Sequence, residues 1–248
     1  MTLEIGMAKE VLLKNTIYIT DKMLELMKGK CDETRPDQYL ALYDLTRKIR
    51  ACMAALVPIK EHDYLCVPVN LLYRCMITDL MTSLLISVID DNSFHKIMHI
   101  MDLKFAQSFK KAILAETKVK CSLAPEKVSA FESASLDYQD KQYDTFKDCL
   151  KSTKGKEWEF VKMPSCTINE VRFKGDVASI YNVLLTFPEV KDIASIYEYY
   201  CLFSQSEHFS LKNRIFIYKQ DFHELYYNKV RGLVYLGEEY LYKKYNKE

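Results

Sequence analysis

One arginine lies within the most apolar stretch of this sequence, residues 68–90. A helix that turns about 100° per residue places Arg74 in the middle of an apolar stripe. The stripe consists of Leu71, Ile77, Met81, Leu85 and Val88. A buried guanidinium needs acceptors, because an uncompensated charge in a core is very costly. Asn70 and Thr78 lie one turn to either side of Arg74, so this polar line predicts one of two things. It either holds a phosphate or orients a carboxylate, or it forms an internal ion pair that fixes the helix register.

Asp79 is the second charged residue of the same stretch. By the same helical geometry it points about 140° away from Arg74. The two side chains therefore cannot pair with each other on one helix. We expect each of them to find a partner on another element.

A second group of polar side chains lies on a predicted helix over residues 189–212. Ser204 and His208 are four residues apart, and Tyr197 and Cys201 share their face. A serine nucleophile would also need an oxyanion site and an exposed geometry, which positions inside a helix rarely supply. This disfavours acyl transfer and favours a histidine that binds or polarises a phosphate, with Arg74 and a tyrosine nearby. The alternative is a core histidine that its neighbours cap.

Tyrosines are dense in the last quarter of the chain and include Tyr197 and Tyr200. Such rings serve base stacking or a partner interface, or they pack with one wet edge. His95, His99 and Asp102 have metal-ligand spacing, but they lie opposite Met101 and Phe105, which predicts a solvated face. We expect no metal site and no cofactor.

Composition limits the class of protein. The 248 residues carry 35 Lys and Arg against 34 Asp and Glu, so no global field directs the chain to nucleic acid or to an anionic membrane. The eight cysteines form no CxxC pair and indicate buried thiols in a reducing compartment. Arg74 and Asp79 disfavour a membrane span, and no signal peptide is evident. We expect a cytoplasmic protein.

Low glycine and proline content, at six residues each, favours long helices. We predict an all-α fold, a single bundle-like domain over residues 1–248 with seven to nine helices. Helical periodicity, caps and breakers place them at about 3–28, 36–57, 68–90, 94–118, 125–152, 167–173, 176–186, 189–212 and 221–245. Residues 154–166, with the only tryptophan, are predicted to form a surface loop or lid. The helix that contains Arg74 and the helix that contains Ser204 and His208 are expected to be neighbours in the core.

The order of these residues resembles a bacterial family of helical domains of unknown function. The resemblance covers about residues 67–210. It rests on Arg74-x4-Asp79 in an apolar helix, then a loop with Pro164, then Gly175, and finally Tyr200-x3-Ser204-x3-His208. That family is distantly similar to the HEPN helical bundles, which include metal-independent ribonucleases of defence systems. HEPN nucleases place an arginine four to six residues before the histidine. Here that segment contains no arginine, so Arg74 would have to supply the guanidinium from another helix.

Two hypotheses follow. In the first, the protein is a nucleotide- or RNA-directed module of a bacterial defence or stress system. If it is an enzyme, it is a metal-independent ribonuclease. His208 is then the acid or base, Arg74 neutralises phosphate, and Ser204 is the third catalytic residue. The binding residues are Asn70, Asp79, Tyr197 and Tyr200. In the second, the protein is a non-catalytic interaction or sensor protein with a structural network of Arg74, Asp79 and His208. The resemblance also implies a homodimer.

Overall fold

The computed structural model describes residues 9–30, 36–59, 66–143, 150–153, 157–160, 165–204 and 220–247. Within these residues the chain forms nine α-helices, which confirms the all-α prediction. The helices are α1 (Lys9–Lys30), α2 (Pro36–Leu56), α3 (Cys66–Val88), α4 (Asp91–Leu123), α5 (Val128–Tyr143), α6 (Val177–Leu184), α7 (Lys191–Ala194), α8 (Tyr197–Ser204) and α9 (Gln220–Tyr245). A 3₁₀ turn, Pro125–Lys127, precedes α5.

The described residues fall into two compact units. The first contains residues of 1–94 and 176–248, and the second contains residues of 95–175. The expectation of one domain stays a prediction.

In the first unit, α3 is the helix around which the others pack. It contacts α2, α6, α8 and α9, while α1 packs against α2 and α9. Its apolar side chains are fully buried at six successive core positions: Met76, Ile77, Leu80, Met81, Leu84 and Leu85. The predicted proximity of the Arg74 helix to the helix that contains Ser204 is therefore observed as contact between α3 and α8.

Pairs of contacting residues fix the helix directions. Lys48 meets Asp79, and Gln38 donates to the backbone of Ile86, so α2 and α3 are antiparallel. Tyr227 donates to Asn70, and Gly237 lies against Leu80, so α9 is parallel to α3. It follows that α9 is antiparallel to α2. Helices α1, α2, α3 and α9 thus form a four-helix bundle.

One helical segment of the described part, Pro68–Val88, is long and apolar enough to cross a membrane. Most of its apolar window is buried inside the structure. Ser83 and Ser87, which the sequence places opposite the apolar stripe, are buried too, and each hydroxyl donates to a carbonyl of its own helix. Residues 80–87 are all buried, and burial on every side of a segment is typical of the central helix of a globular protein.

Local caps explain where two helices begin. Asp90 accepts a hydrogen bond from the backbone of Ser93 at 2.9 Å, so α4 begins at Asp91 and not at the predicted Phe94. Asp176 accepts from the backbone of Ser179 at 2.7 Å in a capping box, which confirms the predicted short helix as α6.

The second unit departs from the predicted helices. The helix predicted to reach residue 152 is described over Val128–Tyr143, and Leu150–Thr153 at its predicted end is strand β1. β1 pairs antiparallel with β2 (Glu157–Phe160), inside the segment predicted to be a loop or lid. Thr, Trp and Phe favour strands, and this preference outweighs the expected continuation of the helix. The loop prediction is therefore wrong for residues 157–160, and residues 154–156 and 161–164 of that segment lie outside the described part.

The predicted helix over residues 167–173 is also wrong. Strands β3 (Cys166–Ile168) and β4 (Val171–Phe173) form an antiparallel hairpin. Asn169 and Glu170 between them have φ angles of 44° and 66°, as a two-residue type I′ turn requires. The spacing of Thr167 and Glu170 that resembled a helix cap is therefore the spacing of a tight turn.

The single helix predicted over residues 189–212 is interrupted. The chain forms the short α7 and then α8, with a turn at 195–196 between them. The hydroxyl of Ser195 donates to the carbonyl of Asp192, which helps to end α7. Residues 205–219 lie outside the described part.

Candidate functional site

Arg74 is brought to a tyrosine of α8. Its Nη2 donates to the phenol oxygen of Tyr200 at 3.3 Å, and its Cζ lies 5.0 Å from the centre of the Tyr200 ring. Arg74 is half-buried, as is Tyr200. A guanidinium this close to an aromatic ring is attracted by the ring's quadrupole. The predicted combination of Arg74 with a nearby tyrosine is therefore present.

Two further tyrosines extend this contact into a stack. The rings of Tyr197 and Tyr200 are nearly parallel, at 15°, with centroids 5.9 Å apart. Tyr181 of α6 lies on Tyr197 at 4.5 Å and 18°. We name the set of Arg74, Tyr181, Tyr197 and Tyr200 the tyrosine–arginine stack. Three helices, α3, α6 and α8, hold it in place.

The members of the stack remain partly accessible. All four side chains are half-buried, so each ring or guanidinium has packed and solvent-facing edges. A hydrogen bond with Cys201 and burial raise the pKa of Tyr197 to about 12, so its phenol is neutral at physiological pH. Tyr197 therefore adds no negative charge beside the guanidinium of Arg74.

Ser204 lies one turn beyond Tyr200 on α8. Its hydroxyl donates to the backbone carbonyl of Tyr200 at 2.7 Å. The oxygen of a serine whose proton is held by its own helix is a weak nucleophile. His208, the partner suggested by the sequence, lies outside the described residues.

Asn70 points away from the stack into the core. It accepts a hydrogen bond from Tyr227 of α9 at 2.7 Å, and its side chain is 3% exposed. This bond joins α3 to α9 in the bundle. Thr78, the other end of the predicted polar line, donates to the backbone carbonyl of Arg74.

Asp79 lies on the α2 side of α3. Its carboxylate is 3.4 Å from Nζ of Lys48, and burial raises its pKa while Lys48 lowers it in part. Arg74 and Asp79 therefore point to different neighbours, as the helical geometry predicted. The structure brings together Arg74, Tyr197 and Tyr200, and it places Asn70 and Asp79 elsewhere.

A buried aromatic cluster lies beneath this region. Tyr73 stacks on Tyr227 at 4.8 Å, and Phe203 of α8 contacts both rings with centroids 5.7 Å away. The guanidinium of Arg231 lies 5.6 Å from the Tyr73 ring, and its Nη1 donates to Asn228. Because Tyr73 precedes Arg74 and Phe203 lies one turn from Tyr200, this cluster fixes the helices that carry the stack.

The sequence analysis missed Arg231 and Glu238, which are both fully buried on α9. A signal for them exists in the spacing of that helix. The buried residues Tyr227, Val234, Leu241 and Tyr245 recur at intervals of seven and four. Arg231 and Glu238 fall between them and complete a series with intervals of three and four residues.

Other candidate groups lie on the surface. His95, His99 and Asp102 are exposed on α4. Within the described ranges, no group of three or more His, Cys, Asp or Glu side chains is placed to hold a metal ion. Five of the cysteines, Cys52, Cys75, Cys121, Cys166 and Cys201, are free thiols, and Cys75 is exposed, in contrast to the expected burial.

Comparison of the chain with protein-family models, with curated proteins and with solved structures finds no match.

Proposed function

We propose that the protein is a cytoplasmic module that binds nucleotides or single-stranded RNA at the tyrosine–arginine stack. The observation that supports this proposal is the sequence of contacts from Tyr181 through Tyr197 and Tyr200 to the guanidinium of Arg74. Proteins that bind single strands combine aromatic side chains, on which bases stack, with cationic groups that meet the backbone. The stack supplies both elements on rigid helices.

The division of roles follows from the chemistry of the groups. A base stacks through its π-face on a partly accessible aromatic ring, and stacking is tolerant of base identity. A phosphate matches the planar fork of Arg74. Because the net charge of the chain is only +1, binding depends on this local cation and on stacking, not on a global field.

The setting that we propose is a HEPN-like bacterial defence or stress system, as the sequence resemblance implies. Ribonuclease activity would need a general base or acid, and His208 is the candidate. Ser204 is a weak nucleophile, since its hydroxyl donates to the Tyr200 carbonyl. Binding at the stack does not depend on cleavage, so the two are tested separately.

One observation favours a second candidate function. The Arg74–Tyr200 hydrogen bond joins α3 to α8, so Arg74 also has the geometry of a structural link. In a non-catalytic interaction or sensor protein, loss of this link would loosen α8 without loss of any ligand. The two functions therefore differ in whether Arg74 changes binding or only stability.

The test is fluorescence anisotropy with a labelled single-stranded RNA of mixed sequence, and with a fluorescent ADP analogue. We expect Arg74→Ala to weaken binding at least about tenfold, the size of one lost charge-assisted contact. The matched control is Arg47→Ala, because Arg47 is exposed on α2 and pairs with Asp44. If wild-type protein binds neither probe, or if both variants bind like wild type, the proposal fails.

Cleavage is followed in parallel on a gel with the same RNA. Loss of cleavage in His208→Ala with retained binding would assign the histidine a chemical role. If wild-type protein binds the RNA and the RNA stays intact, the protein is a binding module without nuclease activity.

A further inference from the structure

Glu238 of α9 is fully buried in the four-helix bundle. Its side chain is 0% exposed, and neither carboxyl oxygen has a hydrogen-bond partner among the described residues. Thr46 of α2 is likewise 0% exposed, and within the same part of the chain its hydroxyl has no partner. Buried polar atoms in proteins are nearly always hydrogen-bonded, so two such groups in one core need an explanation.

The helix register places these two residues at one level of the bundle. The rings of Tyr39 and Tyr245 meet edge to face, with centroids 5.9 Å apart. Thr46 follows Tyr39 by seven residues, and Glu238 precedes Tyr245 by seven. Since α2 and α9 are antiparallel, both steps lead about 10.5 Å in the same direction and return to nearly the same helix face. Thr46 and Glu238 therefore face one layer of the core.

We propose that Glu238 and Thr46 line a buried proton-binding site, in which the Glu238 carboxyl carries a proton at neutral pH and a water molecule bridges it to the Thr46 hydroxyl. A neutral carboxyl offers one donor and one acceptor, which a single water and a hydroxyl satisfy. The bundle tolerates this group only while it is uncharged, because a lone carboxylate in a core is far more costly than a neutral acid. Loss of the proton weakens the packing of α9.

Several charged and titratable groups on the surrounding helices contact partners other than Glu238. They include Tyr18 and Lys22 of α1, which contact each other; Asp21 of α1 with Arg50 of α2; Lys48 of α2 with Asp79 of α3; Arg231 of α9 with Asn228; and Glu239 of α9 with Lys243. Burial alone raises the pKa of Glu238 from 4.5 to about 8, without a contribution from any of these groups. The proposed site thus contains the Glu238 carboxyl and the Thr46 hydroxyl.

The raised pKa has a definite consequence for stability. Between pH 4.5 and about 8, the folded chain holds the proton on Glu238 and the unfolded chain does not. Unfolding then releases a proton. Glu238 therefore makes the equilibrium constant for unfolding rise about tenfold per pH unit across this window. Glu238 contributes its full stabilisation below pH 4.5, and this stabilisation is lost above about pH 8.

Denaturant unfolding from pH 5.5 to 9 tests the proposal with Glu238→Gln. We expect this variant to lose the tenfold rise per pH unit that wild type shows. The control is Glu239→Gln, because Glu239 is the adjacent carboxylate but pairs with Lys243, and it should keep the wild-type slope. If Glu238→Gln and Glu239→Gln show the same slope, the proposal is overturned.

A measurement on the wild-type protein decides the matter even if the variant does not fold. NMR of protein with ¹³C-labelled glutamate carboxyl groups should show one carboxyl that titrates near pH 8. Thr46→Val should move this midpoint upward, because it removes the hydroxyl that the water bridges to. If all glutamates titrate in the ordinary acidic range, there is no proton site, and an unchanged midpoint in Thr46→Val overturns the bridge.

Discussion

The guanidinium of Arg74 meets Tyr200 in two ways at once, by an Nη2–phenol contact of 3.3 Å and with Cζ 5.0 Å from the ring centre. The hydrogen bond fixes the arginine, and the ring limits its rotation. The cation is therefore held beside the stacked tyrosines. This arrangement leads to predictions about ligand binding and about stability.

The first prediction concerns salt. If Arg74 meets one phosphate, the plot of log K against log salt should become shallower by about one unit in Arg74→Ala. Arg47→Ala should keep the wild-type slope, since Arg47 is exposed and paired with Asp44. The measurement is a series of RNA titrations between low and moderate salt. Equal slopes for wild type and Arg74→Ala would mean that Arg74 does not contact the phosphate.

The second prediction separates stacking from hydrogen bonding at Tyr200. Tyr200→Phe keeps the ring and removes the phenol that accepts from Arg74, so RNA affinity should fall by no more than a few-fold. Tyr200→Ala removes the ring, and affinity should fall by about 1–3 kcal/mol, the usual loss for one base–aromatic stack. Anisotropy titrations measure both. If phenylalanine and alanine were equally damaging, the phenol would matter and not the ring.

The third prediction concerns Asn70, which the sequence placed in the binding site. Because Asn70 accepts from the buried Tyr227, Asn70→Ala should lower the free energy of unfolding by about 1–3 kcal/mol. RNA affinity, measured well below the melting temperature, should stay near that of wild type. Denaturant unfolding gives the first quantity and anisotropy the second. If Asn70→Ala is as stable as wild type but binds RNA weakly, Asn70 is part of the ligand site.

The fourth prediction concerns the contact between α9 and α3. A Cβ added at Gly237 would lie 2.6 Å from Cδ1 of Leu80, so Gly237→Ala should destabilise the protein by about 1–3 kcal/mol through overpacking. Gly232 lies on the same helix and has nothing within 4 Å of its added Cβ. Gly232→Ala should therefore stabilise by up to about 1 kcal/mol. Equal effects of the two changes would show that α9 does not approach α3 at Gly237.

The sequence predicted the central helix correctly because apolar side chains cover most of its surface. The short helix after Asp176 was predictable as well, since its capping box is local in sequence. The hairpin at 166–173 was missed because Thr167 and Glu170 have the spacing of a helix cap. The positive φ angles at Asn169 and Glu170 that distinguish the turn are not visible in that spacing.

Site residues were predictable to the extent that helical geometry decides them. The directions of Arg74 and Asp79 followed from about 100° per residue, and so did their separation. The partners of these two residues could not be predicted. Lys48 lies 31 residues from Asp79, and Tyr200 lies 126 residues from Arg74, each on another helix. Glu238 was overlooked because a tyrosine-rich helix with charged residues resembles a solvated one until its neighbours are known.

The most direct test of the proposed function is photo-crosslinking of a single-stranded RNA that contains 4-thiouridine, followed by mass spectrometry of the crosslinked peptides. We predict crosslinks to the peptide that contains Tyr197 and Tyr200, and their loss in Tyr200→Ala and Arg74→Ala. Crosslinks confined to other parts of the chain, or none at all with bound RNA, would contradict binding at the tyrosine–arginine stack.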